Sequence, residues 1–208
     1  MSEPLPLGVI LAGGLARRMG GGDKPLRRLA GRTILERVVE RLAPQCDGLI
    51  LNANGEPARF AASGLPVVPD DLGDFPGPLA GILAALDWAA ANRPDLAFLV
   101  SVAADTPFLP RDFVARLDRA RAGNPAQVVC AASGGRTHPV DALWPVALRE
   151  DLRHTLVDLG LRKMGLFAER RGAVHAEWRA HPIDPFLNVN TPEDLAEAEA
   201  LITQHGEP

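Results

Sequence analysis

Short aliphatic runs alternate with helix-forming segments along the chain, and this alternation constrains the fold more than any other feature of the sequence. Five runs have the length and aliphatic content of buried strands: residues 7–11, 48–51, 65–68, 96–100 and 127–131. Helices are predicted between them, at residues 33–43, 57–63, 79–92 and 110–122. Such alternation predicts an α/β fold: a mostly parallel sheet in a three-layer sandwich, with helices on both faces.

The second half of the chain is less regular. Residues 134–140 lead to residues 141–144, which are predicted to form a strand or one arm of a hairpin. Residues 148–159 and 161–170 are predicted to form two helices, and residues 173–178 an edge strand. A final helix is well marked, because Thr191 suits the N-cap and Pro192 the first helical position. No linker or repeat divides the sequence, so we expect a single domain over residues 1–208.

Composition excludes several classes of protein. The 208 residues are 47% hydrophobic and carry a net charge of −4, which argues against a nucleic-acid or membrane surface. Cys46 and Cys130 are far apart and form no Cys-x-x-Cys pair, so a zinc site or a disulfide framework is not expected. The first residues lack the features of a signal peptide, and a reducing cytoplasm is the predicted location.

A glycine-rich, cationic stretch follows the first predicted strand, at residues 11–25. Its glycines allow backbone N–H groups to approach a ligand closely, and Arg17, Arg18 and Lys24 supply positive charge. Such a loop is typical of polyphosphate binding. Neither the P-loop nor the dinucleotide fingerprint fits, because Lys24 lies between Asp23 and Pro25 and no G-x-G-x-x-G is present. The alternative is an ordinary glycine-rich surface turn.

Polar residues collect where the predicted strands end. Asn52, Asp70 and Asp105 each follow an aliphatic run. The carboxyl ends of parallel strands are where ligands bind in such sheets, so we expect these residues to share one site with the glycine-rich loop. Each one alone is more often a turn residue, and Asn54 and Asp71 compete with their neighbours for the same roles.

Asp105 is the candidate metal ligand. Mg²⁺ takes one or two carboxylates together with phosphate oxygens and water, which suits a strand-end aspartate beside a polyphosphate loop. Its segment contains no basic residue that would pair with it. A capping or turn aspartate before Thr106 and Pro107 is the alternative.

Other polar residues are weaker candidates. Asn188 and Asn190 alternate with Val189, which places both amides on one face of an extended segment, although Asn190 also suits a loop position before the helix cap. His138 is a candidate for the same cleft, whereas Ser133 is interpreted as a turn residue. The absence of G-x-S-x-G argues against a serine hydrolase.

The combination of motifs resembles the molybdenum cofactor guanylyltransferase family of nucleotidyltransferases. Residues 11–24 are similar to the family signature Leu-Ala-Gly-Gly-x-x-x-Arg-Met-Gly-Gly-x-Asp-Lys. The similarity continues at residues 52, 70, 76–81, 105–110, 138–139 and 188–195. It implies a Rossmann-like sheet and a transfer of GMP, in which the phosphate of molybdopterin attacks the α-phosphorus of GTP and pyrophosphate leaves.

The resemblance also implies a nucleotide-binding half of about 1–110, an acceptor-binding half of about 111–208, and roles for individual residues. Asp105 would bind the Mg²⁺ cofactor, and Lys24, Arg18 and Asp105 would act in catalysis. Asn188 and Asn190 would lie on the pterin side, or Asn190 near the metal. The expected GTP contacts are Leu11, Ala12, Gly13, Gly14, Lys24, Asn52, Asp70 and Asp105.

The implied substrates are GTP and molybdopterin, and the further partners are molybdopterin-insertion proteins or molybdoenzyme chaperones. A transferase that uses CTP on the same pterin, or that makes a sugar nucleotide, is the first alternative; the Gly-Gly form of the loop argues against it. A non-catalytic nucleotide or pterin carrier is the second. We expect a carrier to lack the loop lysine or the strand-end aspartate, and this sequence has both Lys24 and Asp105.

Overall fold

The computed structural model of the chain describes residues 4–13, 23–70, 72 and 77–207. Within these residues the strands, in chain order, are β1 (Leu7–Leu11), β2 (Arg28–Leu29), β3 (Arg32–Thr33), β4 (Leu49–Asn52), β5 (Val67–Val68), β6 (Phe98–Ala103), β7 (Val129–Ser133), β8 (Arg136–Pro145) and β9 (Val174–Trp178). The α-helices are α1 (Ile34–Leu42), α2 (Pro78–Asn92), α3 (Phe113–Ala120), α4 (Arg149–Val157), α5 (Met164–Arg170) and α6 (Pro192–His205).

Seven of these strands form one sheet in the order β5-β4-β1-β6-β8-β7-β9. Strands β5, β4, β1 and β6 pair in parallel, and β7 pairs in parallel with β9. Strand β8 is antiparallel to both of its neighbours. The mostly parallel sheet that the alternation predicts is therefore confirmed, and β8 is the arm of a hairpin with β7.

The helices cover both faces of the sheet, as expected for three layers. Alternate side chains of the strands point to opposite faces. On one face, Ile10 and Val100 pack with the buried residues of α1 and α3. On the other, Val9 and Leu99 pack with buried residues of α2, α4 and α5. Burial on both faces explains why the strands are continuous aliphatic runs rather than alternating ones.

The start of α1 agrees with the sequence. Thr33 and Glu36 form the predicted capping box, in which each side chain bonds the other's backbone N–H. Just before it, β2 and β3 form a small hairpin that the sequence did not predict. Its two central residues, Ala30 and Gly31, both have positive φ, which is the geometry of a two-residue hairpin turn.

Several predicted strand boundaries differ from the structure. The strand predicted over residues 65–68 is shorter in the structure, where β5 comprises only Val67–Val68. The strand predicted over residues 127–131 is β7, which begins and ends two residues later. Ser133 was interpreted as a turn residue, but it is the buried last residue of β7. The turn is made instead by Gly134 and Gly135, whose positive φ values suit it.

Helix α6 closes the fold. Thr191 caps it by accepting a hydrogen bond from the backbone of Asp194, as the sequence predicts. Ala198 of this helix belongs to a third core cluster, with Leu29, Ile34, Val189 and their neighbours. None of the described helices combines the length with the apolar character that crossing a membrane requires.

Candidate functional site

A cavity of about 740 Å³ opens at the carboxyl ends of β1, β4 and β6. The structure places several predicted site residues together on its lining: Leu11, Ala12, Gly13, Asn52, Asp70, Asp105, Asn188 and Asn190. Lys24 lines a smaller adjoining space with Gly13 and Asp105. Gly14, Arg17, Arg18 and Asp71 lie outside the described residues.

One side of the cavity, the Asn52 wall, consists of Asn52, Asn54, Arg59 and Asp70. Asp70 accepts two side-chain hydrogen bonds, from Asn52 Nδ2 at 2.7 Å and from Asn54 Nδ2 at 2.9 Å. Its backbone N–H donates to Asn54 Oδ1 at 2.8 Å. Both asparagines therefore hold the carboxylate of Asp70 in a fixed position. The sequence offered Asn52 and Asn54 as alternatives for one role, and in the structure both side chains share it.

Asn52 is held from behind by helix α2. Its side chain is only 3% exposed, and its Nδ2 also donates to the backbone oxygen of Val68 at 3.0 Å. A Cβ atom at Gly81 would lie 2.2 Å from Asn52 Oδ1, closer than real Cβ contacts allow. Glycine is thus required where the helix packs against this amide. Because it is almost fully buried, Asn52 chiefly positions Asp70.

Arg59 is a cavity residue that the sequence prediction missed. Its Nε donates to the backbone oxygen of Glu56, and its terminal nitrogens donate to the backbone oxygen of Asn54 and to the carboxylate of Asp23. The guanidinium also stacks over the ring of Phe60, 5.0 Å from its centre. The only sequence signal is a cation soon after Asn54-Gly55, which alone does not distinguish it from other surface arginines.

The opposite side, the Asp105 wall, consists of Lys24, Asp105, Asn188 and Asn190. Lys24 Nζ lies 3.0 Å from Asp105 Oδ2 and 2.5 Å from Asn190 Oδ1. Asn188 Nδ2 donates to Asp105 Oδ1 at 2.8 Å. The segment of Asp105 contains no basic residue, but a lysine 81 residues away in the sequence pairs with it. Lys24 and Asp105 are 18% and 17% exposed, so both still face the cavity.

Backbone hydrogen bonds fix the turn that carries Asp105. The N–H of Ala104 donates to the backbone oxygen of Leu11 at 3.1 Å, and the hydroxyl of Thr106 to that of Ala103 at 2.8 Å. The N–H of Val189 donates to the backbone oxygen of Asp105 at 2.9 Å. Val189 points into the third core cluster, so Asn188 and Asn190 face the cavity as their alternation predicts.

A buried carboxyl, Asp141, supports the same turn. It is 3% exposed, and its Oδ1 accepts a hydrogen bond from the backbone N–H of Ala103 at 3.0 Å. Burial, together with the nearby charge of Asp105, raises the pKa of Asp141 to about 7, although the bond from Ala103 acts in the opposite direction. The sequence signal for Asp141 is a carboxylate directly before the apolar residues Ala142, Leu143 and Trp144.

His138 does not line the cavity, so its suggested place in the cleft is wrong. Its ring stacks on Phe186, with 4.8 Å between the ring centres, and its Nε2 lies 2.9 Å from Ser133 Oγ. The hydroxyl of Ser133 donates to Asp184 at 2.8 Å, so it accepts from Nε2 of His138. Burial is the main cause that lowers the pKa of His138. His138, Ser133 and Asp184 together stabilise the packing around Phe186.

The described lining combines carboxylates with few cations. Asp23, Asp70 and Asp105 are balanced only by Arg59 and the adjoining Lys24. Among the described residues no three side chains of His, Cys, Asp or Glu converge to hold a metal ion. A cation at this site would need ligand oxygens from a bound substrate besides Asp105, which suits Mg²⁺ better than a metal held by protein alone.

Comparison with known proteins gives matches along nearly the whole chain. The sequence model of the MobA-like NTP transferase domain matches residues 8–174. A molybdenum cofactor guanylyltransferase of Bradyrhizobium sp. (strain ORS 278) is 62% identical over 194 residues, covering 93% of this chain and 92% of that protein. One of the same name from Rhodopseudomonas palustris (strain BisB5) is 58% identical over 199 residues, covering 96% and 95%.

Solved structures share the fold at lower identity. A molybdopterin-guanine dinucleotide biosynthesis protein A from Archaeoglobus fulgidus has a TM-score of 0.71 at 24% identity, and the alignment covers 95% of this chain and 99% of that one. A 4-diphosphocytidyl-2C-methyl-D-erythritol synthase from Anaerococcus prevotii has a TM-score of 0.73 at 12% identity, covering 97% of both. The similarity to both structures establishes the three-layer, Rossmann-like arrangement of the sheet.

Proposed function

This chain belongs to the MobA-like NTP transferase family, and we propose that it transfers GMP from GTP to molybdopterin, releasing pyrophosphate. The product would be the guanine dinucleotide form of the molybdenum cofactor. The family resemblance expected from residues 11–24 is confirmed, and the names of the relatives support the choice of substrates. The observation that carries the proposal is the cavity itself, in which the Asn52 wall and the Asp105 wall face one space.

GTP would occupy the space between the end of β1 and the Asn52 wall. We assign the nucleotide contacts to Leu11, Ala12 and Gly13, to Asn52 through its support of Asp70, and to Asp70 itself. The oxygens of Asp70 accept bonds from two amides and retain further lone pairs. They suit the N1–H and N2–H donors of guanine. Gly14 and Arg18 remain proposed contacts of the phosphates.

The reaction needs positioning and charge neutralisation rather than covalent help from the protein. An oxygen of the molybdopterin phosphate would attack the α-phosphorus of GTP, and the bond to the β-phosphate would break with its electrons leaving on pyrophosphate. Lys24 would stabilise the charge that grows on pyrophosphate. The attacking phosphate is already an anion, so no general base is needed.

Mg²⁺ is the proposed cofactor, held by Asp105. The proposal rests on a partly buried carboxylate that still faces the cavity, in a described lining with few cations, to which a triphosphate would bring more negative charge. When bound, the metal would neutralise phosphate oxygens as the bond to pyrophosphate breaks. Lys24 pairs with Asp105 in the structure, and it would be free to turn towards a phosphate once the metal takes its place.

Molybdopterin would bind beside the Asp105 wall. Val140, Asn188 and Asn190 line the cavity there and all come from the second half of the chain, which supports an acceptor-binding role for residues 111–208. Molybdopterin-insertion proteins or molybdoenzyme chaperones are the proposed recipients of the product. The reaction consumes GTP, and we expect it to take place in the cytoplasm.

Pyrophosphate release tests the proposal directly. Purified protein is incubated with Mg²⁺, molybdopterin and one nucleotide at a time: GTP, CTP, ATP or UTP. We expect release that needs both molybdopterin and GTP, with formation of the guanine dinucleotide. Release with CTP instead would favour the related cytidylyl reaction, and binding of GTP without any release would favour a carrier.

A further inference from the structure

Arg59 occupies an unusual place for a cation that the proposed chemistry does not use. It lies on the Asn52 wall, where its side chain is 33% exposed and lines the cavity. Three acceptors hold it, two of them backbone oxygens just before it in the chain and the third the carboxylate of Asp23, and Phe60 supports one face of its guanidinium. A side chain fixed in this way loses little further freedom when a ligand binds, which favours affinity.

The guanidinium also keeps donors for a ligand. Arginine has five N–H groups, one on Nε and two on each terminal nitrogen. Among the described residues, Nε contacts Glu56, one terminal nitrogen contacts Asp23, and the other contacts Asn54. Within these residues, one N–H on each terminal nitrogen has no acceptor. Two donors on one planar guanidinium can match a pair of neighbouring acceptors on one ligand.

Asn54 contacts both Arg59 and Asp70 and so fixes the position of one side chain relative to the other. Its backbone oxygen accepts from Arg59 at 2.5 Å, while its side chain donates to Asp70 at 2.9 Å. The same wall therefore offers a carboxylate and a pair of N–H donors. Guanine presents the complementary pattern, with N1–H and N2–H donors on one edge and the O6 and N7 acceptors on the next. Adenine would place its amino group against the arginine.

We propose that Arg59 is a specificity-determining residue that donates to O6 and N7 of guanine, while Asp70 accepts from the other edge. The inference rests on the proposed use of GTP. It goes further, because it names the side chain that selects guanine over adenine and assigns Arg59 a role besides its ion pair with Asp23. A purely structural role would instead be to hold Asp23, and with it the neighbouring Lys24.

Nucleotide binding by the whole protein, measured by calorimetry with Mg²⁺ present, separates these roles. The ligands are GTP, 7-deaza-GTP, which lacks N7, 6-thio-GTP, whose sulfur is a weak acceptor, and ITP, which keeps O6 and N7 but lacks the N2 amino group. We expect the unaltered protein to bind GTP about 10-fold or more tightly than the first two analogues.

In Arg59→Met the preference for GTP over 7-deaza-GTP and 6-thio-GTP should fall to about 1- to 3-fold, whereas the ratio of GTP to ITP should stay unchanged. Arg59→Lys should restore part of the affinity but not the preference, because an ammonium lacks the fork of two donors. Arg93→Met is the matched control: Arg93 also pairs with a carboxylate and donates to a backbone oxygen, those of Asp47, and its contacts lie outside the cavity.

Asp23→Asn tests the structural alternative. If Arg59 acts only by holding Asp23, Asp23→Asn should weaken all four ligands equally and Arg59→Met should do the same; that result would overturn the proposal. An unchanged preference in a folded Arg59→Met protein would also overturn it. Pyrophosphate release by the unaltered protein is measured separately, so an inactive protein that still shows these binding ratios would refute only the proposed reaction.

Discussion

The Asn52 wall and the Asp105 wall face the same cavity but are assembled differently. Asn52, Asn54 and Asp70 lie within one segment in which a 3₁₀ helix, Pro57–Ser63, joins β4 to β5, and the hydrogen bond between Asn52 and Asp70 spans only 18 residues. The bonds of the Asp105 wall span 81 residues to Lys24 and 83 to Asn188. One wall is therefore set by the local pairing of two neighbouring strands, and the other by the packing of the whole domain.

This difference predicts which property is lost when a residue of each wall is changed. A change in the Asn52 wall should weaken nucleotide binding and leave the chemical step largely intact. A change in the Asp105 wall should reduce the chemical step, since its residues lie where charge would grow on the leaving group. It should also respond to distant changes in packing, because its members meet only when the C-terminal segment is in place.

The largest expected effect comes from removing Lys24 from the Asp105 wall. Lys24→Ala should lower kcat/KM by about 10- to 150-fold, which is the range of about 1.5–3 kcal/mol for a hydrogen bond to a charged group. Steady-state pyrophosphate release measures it, and most of the loss should appear in kcat. Lys163→Ala is the matched control, since Lys163 is exposed and does not line the cavity. Near wild-type turnover in Lys24→Ala would remove Lys24 from the phosphate site.

Asp105→Asn should weaken the metal site of the same wall. The amide keeps the size of the carboxylate but loses its charge, so the Mg²⁺ concentration that gives half-maximal activity should rise by about 10-fold or more. A Mg²⁺ titration at saturating GTP measures the change. An unchanged titration curve would exclude Asp105 as the metal ligand.

Gly81→Ala tests the Asn52 wall from outside the cavity. The new methyl group would meet Asn52 Oδ1 and displace the amide that holds Asp70. The expected cost is about 1–3 kcal/mol of folding free energy, as for other overpacked cores, together with weaker GTP binding at nearly unchanged kcat. Denaturant unfolding and KM for GTP measure the two effects. A fall in kcat with unchanged KM would contradict the division of roles between the walls.

Asp141 allows the support of the Asp105 wall to be tested by pH. Burial raises its pKa from 3.8 to about 7, so between these values the folded protein binds a proton that the unfolded chain has lost. Its contribution to stability therefore decreases as pH rises through this interval, by up to about 1.4 kcal/mol per pH unit. Asp141→Asn keeps an acceptor for Ala103 and should remove this slope. Urea unfolding at pH 5 and pH 8 measures it, and parallel changes in both proteins would contradict it.

The smallest expected effect concerns the caps of two helices. Thr191→Ala removes the cap of α6, and Thr33→Ala that of α1. Each should cost about 1 kcal/mol of stability. Only the first lies next to Asn190, so only Thr191→Ala should also lower kcat measurably. Equal kcat values for the two variants would indicate that α6 does not limit the order of the Asp105 wall.

The sequence predicts what depends on local pattern. The aliphatic runs indicate the parallel sheet, and the Thr33 and Thr191 motifs mark the starts of their helices. The alternation around Val189 predicts that Asn188 and Asn190 point to the same side, as they do in the cavity. It does not predict which side chains meet across long separations, such as Lys24 with Asp105. Stacking on Phe186 determines where His138 lies, and the contact of Arg59 with Asp23 joins residues that are 36 positions apart.

Val189 belongs to two parts of the molecule at once. Its side chain is buried beside α6, while its backbone N–H holds the turn of Asp105. Detachment of the C-terminal helix would therefore dismantle the Asp105 wall while the Asn52 wall, built from β4 and β5, stays assembled. After a proteolytic cut in the segment before α6, we expect the protein to bind nucleotide but to lose turnover. Turnover is therefore a more sensitive measure of an intact C-terminal segment than ligand binding is.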